Sequence, residues 1–318
     1  MNKIYKLIWS QTANAFVAVS ELASARGKSS STTNNAVSSA DKKAGIFKPV
    51  KTALVLSMLF VLPHSVMAGT GLAGGTATGA DAIAVGERSE ASGILSIALG
   101  ADSVAKEKYA AAVGPGAQAL GDDSFAGGTR AKALANYSTA LGNQSTAEKE
   151  FDLAAGYEAI ASGGQSTAVG FRSKSTGNSS NAIGGSSLAE GKYSTAVGQE
   201  THAKADFTLA AGYKAKAEGE QSTAVGFGSN SKGYGSNAIG SSSVAKGTHS
   251  TAIGSSSLAE GDYSIALGQE SKTAAGKNFT TALGYKAQAN GWSSFAQGAY
   301  AVASGGGSIS IGDSSSAT

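Results

Sequence analysis

The side chains that could do chemistry in this chain are few, and their spacing fits no reaction. The segment GTGLAG at 69–74 has the glycine spacing of a dinucleotide-binding loop. It follows a leader rather than a strand, and no helical pattern succeeds it, so we expect no nucleotide there. After the leader, which holds His64, the histidines His202 and His249 stand alone, and the chain has no Cys, so a zinc site is not expected. We predict a non-enzymatic protein with no catalytic residue, no cofactor and no metal.

A leader with the features of a secretory signal occupies residues 1–68. The short apolar run TALVLSMLFVL at 52–62 has four lysines before it and the small-residue exit SVMA after it. This arrangement is typical of a secretory signal, and we expect cleavage between Ala68 and Gly69; a buried core helix is the alternative. Residues 69–318 hold 17 Lys and Arg against 20 Asp and Glu. The basic balance therefore belongs to the leader and indicates no nucleic-acid partner.

A five-residue phrase that closes on Gly, such as STAVG or SNAIG, recurs along the rest of the chain. Fifteen of the sixteen intervals between closing glycines are 14 residues long, and Gly268 to Gly284 is 16. A fixed short period predicts a solenoid of stacked coils. The structural turn glycines that we predict include Gly86, Gly100, Gly142, Gly156, Gly170, Gly184, Gly198, Gly212, Gly226, Gly240, Gly254 and Gly268.

Each coil is expected to contain two short strands and two tight turns. The first strand ends in Ala and a residue that is mostly Val, Leu or Ile, directly before the closing Gly, and the second alternates polar with small residues. A further Gly often follows seven residues after the first, and glycine suits turns where φ is positive or backbones pass closely. Parallel stacking of such strands predicts an all-β parallel solenoid of about 17 coils.

The first strand of each coil indicates an oligomer. Its Ala and its aliphatic residue point to opposite faces, and both faces favour burial, yet a coil has only one interior. The remaining face would form an apolar stripe along the whole solenoid, which is larger than a soluble monomer tolerates. The columns do not tell whether Ala or the aliphatic residue faces the partner.

Aromatic residues also follow columns. One residue after a closing Gly the sequence has Tyr157, Phe171, Tyr213, Phe227 and Tyr285. Two interpretations stay open, namely stacking between neighbouring coils and an exposed aromatic ladder that contacts a ligand.

Two parts of the sequence resemble known protein families. The opening MNKIYK, IW and VAVSE resemble the extended signal peptide region of large autotransporters. SNAIGGSSLAEG at 180–191, STAVGFGSNSKG at 222–233 and STAIGSSSLAEG at 250–261 resemble the head repeat of YadA-like trimeric autotransporter adhesins. The resemblance implies a left-handed parallel β-roll, a homotrimer and display on the bacterial surface. It also implies binding to host extracellular matrix proteins, host cells or like cells.

The resemblance divides the chain into a cleaved extended signal peptide at 1–68, a lead-in at 69–80 and head repeats at 81–318. The family's neck, heptad-bearing stalk and C-terminal membrane anchor are not recognisable. We therefore expect a fragment of a longer adhesin, attached to the outer membrane only through the anchor missing here, or anchored by other means.

Two other functions fit the pattern less well. A left-handed β-helix acyltransferase would have a hexapeptide period and a catalytic His, against a period of 14 and two isolated histidines. An ice-binding solenoid would have a regular Thr face, whereas the Thr column here is filled only in every second coil, as at Thr167, Thr195 and Thr223.

Overall fold

The computed structural model describes residues 5–10, 15–20 and 69–318. The chain forms two compact units, Met1–Val61 and Leu62–Thr318. In the first unit, Tyr5–Ser10 and Ala15–Ser20 pair as antiparallel strands. The apolar run at 52–62 and Ala68 of the predicted cleavage site lie outside the described residues.

The second unit is an all-β parallel solenoid, as the sequence predicts, and it has about 18 coils, one more than the sequence pattern suggests. Each coil contributes a three-residue strand to sheet 1 and a two-residue strand to sheet 2. The strands of sheet 1 are Thr70–Leu72, Ile83–Val85, Ile97–Leu99, Ala111–Val113, Phe125–Gly127, Thr139–Leu141, Leu153–Ala155, Thr167–Val169, Asn181–Ile183, Thr195–Val197, Leu209–Ala211, Thr223–Val225, Asn237–Ile239, Thr251–Ile253, Ile265–Leu267, Thr281–Leu283, Phe295–Gln297 and Ile309–Ile311.

Sheet 2 follows the same order along the chain. Its strands are Thr76–Ala77, Glu90–Ala91, Val104–Ala105, Gln118–Ala119, Lys132–Ala133, Thr146–Ala147, Ile160–Ala161, Lys174–Ser175, Leu188–Ala189, His202–Ala203, Lys216–Ala217, Asn230–Ser231, Val244–Ala245, Leu258–Ala259, Lys272–Thr273, Gln288–Ala289, Val302–Ala303 and Ser316–Ala317. No helix in the described ranges is long and apolar enough to cross a membrane.

Strands pair in register with the coil before and the coil after. Ala140 pairs with Ala126 on one side and with Ala154 on the other, so identical positions stack on one another. The solenoid begins earlier than the sequence pattern suggests, because Thr70–Leu72 already pairs with Ile83–Val85. The segment 69–80, which the sequence analysis placed before the repeats, therefore contributes a coil of its own.

The interior of the solenoid is lined by small side chains. The Ala column of sheet 1 is fully buried, as at Ala140 and Ala182, while the aliphatic residues beside it remain exposed, Leu141 by 50% and Ile183 by 42%. Within one coil, therefore, Ala faces inward and the aliphatic column faces outward. The largest fully buried side chains are Thr201, Thr273, Thr280 and Asp152.

Two turns connect the sheets, and they are built differently. Turn 1 follows sheet 1 and starts at the closing Gly, where Gly184 has a φ of +131°. Turn 2 follows sheet 2, and its frequent glycine, such as Gly191, has no positive φ, although a Cβ there would lie 1.9 Å from the carbonyl oxygen of Ala205. The positive φ of turn 2 falls two residues later, at +54° on Tyr193.

Candidate functional site

The outer face of sheet 1 is the most apolar surface of the described solenoid. Most strands of sheet 1 have a buried Ala in the middle, and the residues on both sides of it point outward and are mostly aliphatic. Examples with more than a third of their surface exposed are Leu99, Val113, Leu141, Ile183, Val197, Ile239, Leu267 and Ile311. The stripe runs from the first coil to the last, which exceeds the apolar patch of an ordinary soluble monomer.

Aromatic rings form a column along each edge of this face. In turn 1, Tyr157 stacks on Phe171 with ring centroids 5.4 Å apart, and Tyr213 stacks on Phe227 at 5.3 Å. Because each partner belongs to the next coil, the rings bridge coils. The structure thus brings four of the five predicted aromatics together as two pairs.

The fifth predicted aromatic, Tyr285, contacts a ring that the sequence analysis did not include. Tyr285 and Tyr300 meet edge to face with centroids 5.2 Å apart. Tyr300 lies two residues after its closing Gly, not one, so it falls outside the column that the sequence defines.

Turn 2 carries a second aromatic column that the sequence analysis also left out of the site. Its stacked pairs are Tyr137 with Phe151 at 5.0 Å, Tyr193 with Phe207 at 5.3 Å, and Tyr263 with Phe279 at 5.3 Å. The signal was available in the sequence, since each ring stands five residues before a closing Gly and each Tyr is followed by a Phe at the same position of the next coil. About half of each ring remains exposed.

Charged side chains lie beside the rings of turn 1. The Arg172 guanidinium lies 4.9 Å from the Phe171 ring centre, and its Nε donates a 2.6 Å hydrogen bond to Glu158 Oε2. This bond, and a second one from Tyr157, lower the pKa of the Glu158 carboxyl. The Glu158 carboxylate in turn raises the pKa of Tyr157 by hydrogen bonding.

The same arrangement recurs twice further along turn 1. The Nζ of Lys214 lies 4.9 Å from the Tyr213 ring centre, and that of Lys286 lies 5.1 Å from the Tyr285 ring centre. Hydrogen bonding to Tyr213 and then the charge of Glu200 raise the pKa of Lys214. Because these cations already have acidic partners, they offer little unpaired positive charge to a ligand.

The residues that could have done chemistry are placed apart from one another. His202 Nε2 lies 2.6 Å from Glu190 Oε2 on the surface of sheet 2, whereas the His249 ring packs between the rings of Tyr234 and Tyr263. Thr70–Leu72, within the GTGLAG segment, forms a strand of sheet 1. Among the described residues no group of three His, Cys, Asp or Glu could hold a metal ion.

Two protein families match the sequence. Residues 1–47 match the Extended Signal Peptide of Type V secretion system. The YadA head domain repeat (2 copies) matches residues 77–103, 105–131, 121–145, 133–159, 147–173, 175–201, 203–229, 231–257 and 245–271. The chain belongs to the YadA head domain repeat family. No curated protein gives a significant match.

Membership of the YadA head family confirms the resemblance seen in the sequence and assigns an adhesin-type function. The extended signal peptide implies export, and the YadA head implies display at the cell surface. YadA heads are generally non-catalytic. The coils after residue 271 lie beyond the family match, yet they continue both sheets with the same pairing.

Proposed function

We propose that this chain is the head of a homotrimeric bacterial adhesin that attaches cells to host extracellular matrix proteins, to host cells or to like cells. The observation that carries the proposal is the continuous apolar outer face of sheet 1 on a chain whose repeats belong to the YadA head family. A face of this length needs cover along its whole extent. Three copies packed through sheet 1 supply that cover with closed rotational symmetry.

Burial of sheet 1 in the trimer leaves the outer face of sheet 2 and the turns for ligands. Sheet 2 presents outward residues of mixed character, such as Lys132, Ile160, His202 and Lys216. Each coil repeats this surface, so many weak contacts act together on a fibrous or cellular partner. When the geometry lets linked weak sites bind at the same time, the overall affinity rises by roughly 10²–10⁴.

Export and retention complete the proposal. The leader directs secretion and is removed between Ala68 and Gly69, and the handedness of the β-roll is left-handed, as in the resemblance. Retention at the outer membrane depends on a C-terminal anchor that follows the head. Mass spectrometry of the exported protein tests the cleavage, because an N-terminal peptide that starts anywhere other than Gly69 would contradict it.

The binding function is tested on residues 69–318 fused to a trimerising coiled coil. Binding to immobilised collagen and fibronectin and to epithelial cells is measured, together with self-association of the fusion on beads. The coiled coil alone is the matched control. We expect saturable binding to at least one surface that the control does not bind. Absence of binding to all of them, and of self-association, would overturn the function and leave the fold intact.

A further inference from the structure

Three levels of the solenoid carry aromatic rings on both edges of sheet 1 at once. We call each level an aromatic belt, formed by one stacked pair of turn 2 and one pair of turn 1. Belt 1 contains Tyr137, Phe151, Tyr157 and Phe171; belt 2 contains Tyr193, Phe207, Tyr213 and Phe227; belt 3 contains Tyr263, Phe279, Tyr285 and Tyr300.

Within each belt, the two inner rings flank a single strand. Phe151 and Tyr157 lie on either side of Leu153–Ala155, and they are six residues apart in a coil of 14. With coils spaced about 4.8 Å apart, six residues correspond to a rise of about 2 Å along the solenoid. The two edges of sheet 1 therefore present aromatic rings at almost the same level.

Rings on opposite edges cannot reach each other within one chain. The three-residue strand between Phe151 and Tyr157 alone spans about 10 Å, and their ring partners are Tyr137 and Phe171 on their own edges. Even so, Phe151 is 52% and Tyr157 is 40% exposed. These large apolar surfaces are unmatched in the single chain.

We propose that the aromatic belts join neighbouring copies of this chain and set their axial register. The inference rests on the proposed trimer. In it, the turn 2 edge of one copy lies against the turn 1 edge of the next, so that Phe151 of one copy contacts Tyr157 of a second copy. An edge that meets a different edge makes a heterologous contact, which closes into a ring only when the axial shift between copies is close to zero. The level match of about 2 Å meets that condition.

The belts also define the axial register between copies, which the repeated strand sequences alone leave ambiguous. The four sheet 1 strands within 151–206 and the four within 207–262 have nearly the same sequences, so copies shifted by four coils would still match most of the sheet 1 face. Belts 1 and 2 are four coils apart, but belts 2 and 3 are five coils apart, counted between the strands Leu153–Ala155, Leu209–Ala211 and Thr281–Leu283. Because the two intervals differ, a shift of four coils aligns only belt 1 with belt 2 and a shift of five coils only belt 2 with belt 3, whereas unshifted copies bring all three belts together.

Positions between the belts support this assignment. The same columns hold Gln165, Ser179 and Gln221 on the turn 2 edge. On the turn 1 edge they hold Gly185 and Gln199. Tyr109 and His249 are also ring positions of the turn 2 column, but they stand opposite Pro115 and Ser255 in the turn 1 column. Rings in both columns of one coil therefore coincide at the belts, whereas a ligand ladder along one edge needs no matching rings on the other.

The test uses disulfide cross-linking, because the native chain contains no cysteine. The full-length chain, exported with its own leader, carries Phe151→Cys together with Tyr157→Cys. Within one chain the two Cα atoms lie beyond the roughly 7 Å limit for a disulfide, so oxidation yields covalent trimers only if the two edges meet. Each single substitution is the matched control and is expected to give no covalent trimer.

A second pair reports the register. Phe151→Cys with Tyr213→Cys joins copies only when they are shifted by four coils. This pair removes one inner ring from belt 1 and one from belt 2, so belt 3 is the belt left to set the register. We expect no cross-link while belt 3 is intact, and a cross-link once Phe279→Gln and Tyr285→Gln remove its inner rings. A cross-link with belt 3 intact, or none after belt 3 is removed, would overturn the register role.

Sedimentation of the unmodified chain distinguishes a failure of the proposed trimer from a failure of the proposed belt contact. A trimer that fails to cross-link through Phe151→Cys and Tyr157→Cys would overturn the belt contact and leave the trimeric adhesin head standing. A monomer would overturn both. A trimer that cross-links through this pair and not through the single variants is the expected result. Circular dichroism of each variant checks that the solenoid is folded.

Discussion

Turn 1 and turn 2 close the same coil, yet they restrict the sequence in different ways. In turn 1 the closing residue is Gly in every coil from Gly86 onward, with φ between +123° and +139°. In turn 2 the corresponding position is Gly in many coils and another residue in others, among them Glu107, Ala135, Lys149 and Ala205. A conformation that only Gly adopts easily permits no substitute, whereas a close approach of backbones can be relieved by a small shift.

Both turns are also held by buried hydroxyl groups. In turn 1, Ser187 Oγ donates to the carbonyl oxygen of Gly184 at 3.0 Å. In turn 2, Ser180 Oγ donates to the carbonyl oxygen of Gly177 at 2.7 Å. At its glycine position turn 2 thus depends on a side-chain hydrogen bond and on space, while turn 1 depends in addition on the φ near +130° of its closing Gly. This difference predicts an order of mutational effects.

The largest effect is expected for Gly184→Ala in turn 1. The new Cβ would lie 2.4 Å from the carbonyl oxygen of Gly198 in the next coil, at a φ of +131° that other residues rarely adopt. We expect a loss of about 3–5 kcal/mol in the free energy of unfolding, from strain and clash together. Urea unfolding followed by circular dichroism measures it.

The neighbouring glycine is the matched control for this prediction. At Gly185 a Cβ would meet only Gln199 Cγ, at 3.8 Å, and φ is not positive. Gly185→Ala should therefore change the free energy of unfolding by no more than about 0.5 kcal/mol. Equal effects at the two positions would show that turn 1 has no special requirement at its first residue.

The next largest effect is expected for Asp152→Ala in turn 2. Asp152 is 1% exposed, and its carboxylate accepts hydrogen bonds from the backbone N–H groups of Lys149, Gly164 and Ser166 and from Ser166 Oγ. Removal leaves several buried donors unpaired, and we expect a loss of about 3 kcal/mol.

Asp152→Ser separates the hydrogen bonds from the shape of the turn. Other coils have Ser at this position, as at Ser138 and Ser180, so this variant should lose only about 1 kcal/mol. Thermal unfolding of the two variants side by side measures the difference. If Ser is no better than Ala, the hydroxyl does not hold turn 2.

A smaller effect is expected for Gly191→Ala in turn 2. A Cβ there would lie 1.9 Å from the carbonyl oxygen of Ala205, so the turn must shift. The φ is ordinary, and Ala205 itself occupies the same position one coil later. We expect a loss of about 1–2 kcal/mol, clearly less than for Gly184→Ala in the same urea experiment. A loss as large as that of Gly184→Ala would contradict the proposed difference between the turns.

The sequence predicts the coil well because its strongest constraints are local. A closing Gly every 14 residues indicates the positive φ of turn 1, and the adjacent Ala column indicates the narrow interior, so the two sheets and the turn positions follow. The first coil was missed, because Leu72 of its sheet 1 strand is not followed by a closing Gly. The inward direction of Ala140 and the outward direction of Leu141 could not be predicted, because both are apolar and either could have faced a partner. The structure decides it, since the interior has room for Ala but not for Leu.

The aromatic site was only half predicted for a related reason. Tyr157 and Phe171 share the position directly after a closing Gly, so the repeat pattern identifies them as one column. Phe151 and Phe207 lie in turn 2, five residues before a closing Gly rather than directly after one, and their stacking on Tyr137 and Tyr193 becomes visible only when coils are superposed. Ring pairing depends on the distance between successive coils, which cannot be read from the amino-acid sequence.

The smallest effect concerns charge at the surface of turn 1. Hydrogen bonding from Arg172 lowers the pKa of Glu158 below its ordinary value of 4.5. A lowered folded-state pKa means that the carboxylate stabilises the fold above the ordinary value and that this contribution is lost as pH falls through the lowered one. Arg172→Gln should therefore melt slightly below the native chain at pH 7, and the gap should close on acidification below about pH 4.5. Thermal midpoints measured from pH 7 to pH 3 test this.

A gap between the two midpoints that widens with acid would contradict the predicted direction. Because both groups are exposed and screened by solvent, the gap should stay well below the effect of Gly191→Ala, which would place the stability of turn 1 in its backbone conformation rather than in its surface charges.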